Sequence, residues 1–385
     1  MKIVSSLLVL AIALPAPAIM IRHDRSDADY VRLGARYPAV ASVQKIAEGV
    51  LVAPRWVLTA AHVGSELSPA GSFVEIAGQR VRVDAIVIHP EYFPEERSAH
   101  DLALLHLERA VDGITPAAPY AGNDELGMTV TFVGRGQTGD GKTGPAREDG
   151  VVRGATNVVD VVEANIVGFT FDAPPRATKL EGISGPGDSG GPALITRNGT
   201  LFTIGVSSAN ASERDGGGPC RYRSHEIYAR VSSHREWIET TMRNAPRSNH
   251  GWSEPVWSPA LPDTPLAARV RAFVDAVHGD AASMRAFRLA NRPAGLLESR
   301  PEAKFEATES KWLAALHDAR IEGYATKGER KLAVFLSTGS GKWFSFVFHG
   351  TEDADMKIGG ILDGEMLPMP KATARAAATA SAPGA

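Results

Sequence analysis

Between Val40 and Val231 the chain runs in short β-type segments, each cut off by Gly, Pro or Asn clusters before it reaches helical length. Val50-Leu51-Val52, Trp56-Val57-Leu58, Val81 to Ile88, Thr129 to Val133, Phe202 to Val206 and Ile227 to Val231 are examples. This texture predicts an all-β barrel or sandwich. Trp237 and Ile238, among the helix-tolerant residues His234 to Arg243, predict a helix that closes the unit. The 385 residues leave room for two or three domains with a sizeable core, and 44% hydrophobic against 22% charged residues excludes a disordered chain.

The texture changes after Arg243. Pro246, Pro255, Pro259 and Pro262 make residues 244–264 a stiff polar connector. Val270, Phe273, Val274 and Val277 then repeat at helical spacing with Gly279 at the stop, and Trp312, Leu313 and Leu316 suggest another helix. Leu332 to Leu336, Trp343 to Phe348 and Ile358 to Leu362 read as strands, so residues 265–368 form a small α+β domain. Phe344, Phe346 and Phe348 on alternate positions are read as its core. Residues 369–385 are an Ala-rich tail without periodicity, expected to be disordered.

Lys2, the apolar run Ile3 to Leu14 and the small-x-small Ala16-Pro17-Ala18 make residues 1–18 a signal peptide, with Ile19 opening a secreted or periplasmic chain. Pro15 and Pro17 stop that run short of the roughly 20 residues a spanning helix needs, so no membrane span is expected after its removal. Cys220 stands alone; no intrachain disulfide forms, and with no activating cation before it Cys220 reads as an inert small residue. Lys+Arg 41 against Asp+Glu 44 gives a net charge of −3 without any like-charged block, which argues against nucleic acid as a partner.

Three segments carry chemistry: Leu58-Thr59-Ala60-Ala61-His62, His100-Asp101-Leu102-Ala103, and Gly187-Asp188-Ser189-Gly190-Gly191-Pro192. A serine hydroxyl is a poor nucleophile until an imidazole takes its proton, and the imidazole needs a carboxylate to fix its tautomer and stabilise its cation. Ser189, His62 and Asp101 fill those roles. The Gly-x-Ser turn lets the amides of Gly187 and Ser189 converge on an oxyanion. His89, His100 and His106 fall in no motif, and neither a zinc site nor any cofactor is expected.

The chain resembles a trypsin-like (chymotrypsin-fold) serine endopeptidase over about Tyr37 to Met242. Beyond the His, Asp, Ser order, the likeness rests on Pro54 to His62, Gly134-Arg135-Gly136, Ile204 to Ser208, Ile227 to Val231 and Trp237-Ile238. The resemblance implies a peptidase domain over residues 19–243 built as two packed six-stranded β-barrels, the triad in the cleft between them, and proteins or peptides as substrates. By the family pattern Ile183 lies at the floor of the primary pocket, with Ser208 to Asn210 and Glu226 in its walls. Asp188 awaits a cation that orders the oxyanion hole, and the ammonium of Ile19 is a candidate; the alternative is that local backbone or a side chain such as Arg22 satisfies it. Glu226, where glycine is common, either points inward, favouring Arg or Lys and needing a neighbour such as Arg223, His225 or Arg230, or faces solvent. Gly185 stands where a cysteine is common, and the Ile-Val-Gly-Gly start of an activated zymogen is missing. Residues 265–368 resemble the cone-shaped modules of the nuclear-transport-factor-2-like and SnoaL-like superfamily.

Two alternatives remain. One is a catalytically silent trypsin-like binding protein. The other is a nucleotide-binding module, because Gly136 to Thr143 satisfies the P-loop pattern. Gly144-Pro145 and Gly150 leave no room for the helix such a loop needs, so a flexible surface loop is expected there.

Overall fold

The computed structural model describes residues 19–93, 99–147, 149–211, 220–353 and 355–368, leaving aside the side chains of 210 and 211. The signal peptide and the Ala-rich tail lie outside these residues. The chain opens with β1 (Met20–Ile21) and helix α1 (Asp27–Gly34). Next come β2 (Val40–Val43), β3 (Ala47–Ala53), β4 (Trp56–Thr59), helix α2 (Ala61–Glu66), β5 (Phe73–Ile76), β6 (Gln79–Ile88) and β7 (Ala103–Leu107). These six strands close a barrel in the order β2-β3-β4-β7-β6-β5.

The second unit contains β8 (Ala118–Pro119), β9 (Thr129–Gly134), β10 (Thr138–Asp140), β11 (Gly144–Arg147), β12 (Arg153–Val158) and β13 (Val161–Val162). It continues with β14 (Ile166–Thr170), β15 (Gly182–Ile183), β16 (Pro192–Arg197), β17 (Thr200–Ala211) and β18 (His225–Arg230). Here the expected second barrel takes the form of a curled half-barrel packed on the closed first one, consistent with the two-barrel fold. The path β12-β9-β16-β17-β18-β14-β13 curls without closing. Instead of a strand ladder, the side-chain amide of Asn157 on β12 donates to the Thr170 and Gly182 carbonyls, both at 3.0 Å. Residues 136–143 are not a loose loop either. β10 and β11 pair as a hairpin with β1 on its edge, and no helix follows, which removes the geometry a bound phosphate needs.

Helix α3 (Arg235–Arg243) closes this unit, with Ile238 in a core cluster that runs from the barrel into the curled sheet through Val133, Leu194 and Val206. The connector 244–264 does more than space two domains. Asn249 pairs with both the amide and the carbonyl of Ile88, and Val256 bridges Tyr324, so the connector satisfies exposed strand edges at both ends.

The C-terminal domain places α4 (Pro265–Val277), α5 (Ala281–Asn291), α6 (Ala294–Ser299) and α7 (Glu302–Leu316) before an antiparallel sheet. The sheet is β19 (Arg320–Lys327), β20 (Lys331–Ser337), β21 (Trp343–Gly350) and β22 (Ile358–Met366), in sequence order. Alternation along β20 sends Leu332, Val334 and Leu336 to the helices, with Phe346 and Phe348 from β21, as expected for core positions. Ala333, Phe335 and Val347 face the other way and pack with Ala70 and Trp252. That second face meets the C-terminal end of α2: Glu66 pairs with Lys331 at 2.6 Å and His349 at 3.0 Å, and Lys327 donates to the Ser65 carbonyl. No helix among the described residues is long and apolar enough to cross a membrane.

Candidate active site

Ala60 is extended and α2 begins directly after it, so His62 sits in the first turn of a short helix whose leading amides lack helical partners. Asp101, fully buried at the start of the β7 segment, meets that need. One carboxylate oxygen accepts the His62 amide at 2.8 Å and the other lies 2.7 Å from His62 Nδ1. The Ser208 hydroxyl donates to that second oxygen at 2.6 Å. The carboxylate therefore caps the helix and orients the ring together, and the ring remains about a fifth exposed.

Ser189 comes to the same cleft from the curled sheet. Its carbonyl accepts the Glu48 amide at 2.9 Å, and Gly190 is pressed against Thr59, Glu48 and the Ala60 backbone. Gly187 and Gly190 have φ of 94° and 80°, a region that favours glycine and forms the tight turn around the serine. Among the described residues the amides of Gly187 and Ser189 have no acceptor, as an oxyanion site requires. His62 and Ser189 make no hydrogen bond to each other, a looseness common in unliganded catalytic pairs.

Behind the turn lie three buried acids. Asp188 accepts the amides of Gly136 at 2.6 Å and Gly185 at 2.8 Å, and burial pushes its carboxyl up to about 7. Arg22 is not its partner; that side chain pairs with Asp24 and the Thr178 carbonyl. Glu48, which nothing in the sequence marked, is also raised by burial, to about 8, and carries Arg135 on its carboxylate at 2.7 Å. Glu226 is buried, so the solvent-facing alternative does not hold. It accepts the Ser184 amide at 2.9 Å and the Ser207 hydroxyl at 3.3 Å, and burial raises it to about 8. Arg230, one neighbour expected for it, is committed to Glu125.

The remaining pocket residues divide. Ile183 packs with Met20, Phe171 and Cys220, whose thiol burial pushes up to about 12. Ser208 serves Asp101. Asn210 pairs along the strand with Glu226, but its side chain lies outside the described residues. Ile19 is buried and its carbonyl accepts the Thr138 hydroxyl at 3.0 Å.

The family model for trypsin matches residues 30–238, more than half of the chain. The chain belongs to the trypsin family. Among curated proteins, this trypsin-family chain is 30% identical over 208 residues to serine protease SP24D of Anopheles gambiae, across 51% of the chain and 71% of that protein. It is 29% identical over 177 residues to phenoloxidase-activating factor 1 of Holotrichia diomphalia, 42% of this chain and 45% of that one. With serine protease Hayan of Drosophila melanogaster the identity is 27% over 222 residues, 50% and 33% of the two chains. The match thus spans less than half of the latter two proteins.

Proposed function

We propose that this chain is an exported serine endopeptidase that hydrolyses peptide bonds through an acyl-enzyme, with no metal or organic cofactor in the chemistry. The observation that carries the reading is the double grip of Asp101 on His62, which holds Nδ1 protonated and leaves Nε2 as the lone pair available to take a proton. Ser189 Oγ attacks the scissile carbonyl carbon while its proton passes to His62 Nε2. The oxygen gains negative charge against the Gly187 and Ser189 amides, and His62 returns the proton to the leaving amine as the C–N bond breaks. Water then repeats the sequence on the acyl ester and frees Ser189.

For the primary pocket the reading is cleavage after Arg or Lys, because the buried carboxyl of Glu226 accepts the Ser184 amide and the Ser207 hydroxyl and gains a countercharge when a basic side chain enters. For maturation the reading is that removal of residues 1–18 itself supplies the activating ammonium. Ile19 precedes β1, which runs against Ile183 on one side and Gly139 on the other, beside the Gly136 and Gly185 amides that hold Asp188.

A fluorophosphonate probe tests the mechanism: wild type is labelled and Ser189→Ala is not. Labelling that survives Ser189→Ala rejects the serine mechanism, and an unlabelled, folded wild type favours the silent binding protein. On a peptide library, an Arg and Lys preference lost in Glu226→Ala supports the pocket reading; a wild-type preference for apolar residues refutes it. Mature protein with one extra residue before Ile19 should lose most activity, and full activity rejects the activation reading.

A further inference from the structure

Three histidines with no sequence spacing in common meet on the face of the molecule behind Asp101. His89 follows β6, His100 immediately precedes Asp101, and His234 lies in the turn between β18 and α3. One ring nitrogen from each lies within 4.8 Å of the others, and the three side chains line a cleft open to solvent. His89 stacks on His100 with centroids 5.0 Å apart, while His234 stands edge-on to both. We infer that His89, His100 and His234 form a binding site for a divalent transition-metal ion of the zinc class, bridging the barrel and the curled sheet next to Asp101.

The donors select the ion. Calcium and magnesium require oxygen ligands, whereas neutral imidazoles suit zinc, copper and nickel, and three protein ligands with a fourth position open to water is a common zinc arrangement. The surroundings already orient the rings. His234 Nδ1 is 2.7 Å from the Arg230 carbonyl; donating its proton there, it leaves the Nε2 lone pair free, the outer contact that metal-bound histidines ordinarily make. That Nε2 lies 3.0 Å from His100 Nδ1. The other nitrogen of His100 faces Asn165 at 3.3 Å and the Glu91 carboxylate at 3.5 Å. An ion replaces the proton between Nδ1 and Nε2, and His100 then carries its single proton on the side of Glu91.

His89 gives up the Glu91 amide bonded to Nδ1 in either mode: Nδ1 itself binds the ion, or the ring proton moves from Nε2 to Nδ1 and Nε2 binds it. Burial holds His89 down to about 4 and His234 below its ordinary value, so both offer neutral lone pairs near pH 7. Bonds of about 2.0–2.1 Å in a tetrahedron put nitrogens about 3.4 Å apart, so nitrogens that lie within 4.8 Å of one another must close by up to about 1.4 Å. A site that must contract and exchange protons in this way is reversible rather than permanently filled.

The test uses metal-free full-length protein titrated with zinc alone by calorimetry, and with cobalt followed by its visible absorption. One zinc per chain and the intense bands of tetrahedral cobalt are expected. His89→Phe keeps a ring stacked on His100 and tilted against Trp237 but removes the nitrogen, and His234→Gln removes a second ligand; each should weaken zinc by about tenfold or more. Circular dichroism shows whether each variant remains folded. No zinc binding by wild type, an octahedral cobalt spectrum, or unchanged affinity in folded His89→Phe would overturn the inference.

Discussion

Replacing Glu226 by Gln should stabilise the protein far more at pH 8 than at pH 5. The carboxyl is fully buried and holds its proton up to about 8, against an ordinary value of 4.5. Burial is the main cause; the Ser184 amide and Ser207 hydroxyl oppose it, and the charge of Asp188 adds to it. A carboxyl raised in the folded state costs nothing below the unfolded value, and its penalty grows as pH climbs from 4.5 towards 8. With one pH unit worth about 1.4 kcal/mol, folding loses about 1 kcal/mol at pH 5, about 3 at pH 7 and about 4 at pH 8. Gln keeps the acceptor for Ser184 and cannot ionise. Asp188 and Glu48 shift in the same direction, but they are present in both proteins and largely cancel from the difference. Urea midpoints of full-length wild type and Glu226→Gln, followed by near-ultraviolet dichroism at pH 5, 7 and 8, measure the gap. Parallel pH dependence of the two proteins would show that Glu226 ionises as an ordinary carboxylate and refute the argument.

Ser208→Ala removes the hydroxyl bonded to Asp101, so fluorophosphonate labelling of Ser189 should slow by about tenfold with the melting temperature little changed; an unaltered rate denies Ser208 a positioning role. Gly190→Ala should cost about 3 kcal/mol or more, because the new Cβ falls 2.4 Å from the Glu48 carbonyl oxygen at a positive φ; a stable, fully labelled variant contradicts the tight turn. Although burial raises Glu66, His349 and Lys331 outweigh it and hold its carboxylate down to about 2, so its docking contribution is present above 4.5 and fades as pH falls through 2. Glu66→Gln should therefore open the 244–264 connector to added protease at pH 7, and equal cleavage of both proteins counts against this clamp.

Much of this was legible because the residues concerned act over short stretches of chain. The β runs of the barrel and the helix at Trp237-Ile238 follow from local patterning, and the three segments that hold His62, Asp101 and Ser189 could be matched as motifs. Helices α1 and α2 escaped notice because they are short and α2 is capped by Asp101, a residue far away in sequence. How the second half-barrel is tied at its open edge was invisible for a similar reason, since Asn157 reaches across the gap by a side chain that no periodicity marks. Glu48 and the histidine cluster depend wholly on tertiary placement, and so does the inward turn of Glu226. Arg153 makes the same point. It is buried between Asp27 and Asp149, tying α1 to β12, yet in sequence it looks like one more surface charge.

The missing disulfide at the pocket finds its answer in that same tertiary layer. A Cβ on Gly185 would lie 2.2 Å from the Gln137 carbonyl oxygen, so this backbone leaves no room for the cysteine common there. The wall is held instead by the Ser184 hydroxyl against the Tyr228 phenol at 2.6 Å, the Ser184 amide and Ser207 hydroxyl on Glu226, and the Gly185 amide on Asp188. On the outer side Cys220 packs as an apolar residue among Ile183, Met20 and Phe171. Four buried hydrogen bonds at about 1 kcal/mol each match the roughly 2–4 kcal/mol of one disulfide. The two solutions fail differently: a disulfide yields to reductant, whereas this wall depends on how Glu226 and Asp188 are protonated. Reducing agent should therefore leave the protein's stability unchanged, while raising the pH through 8 loosens the pocket.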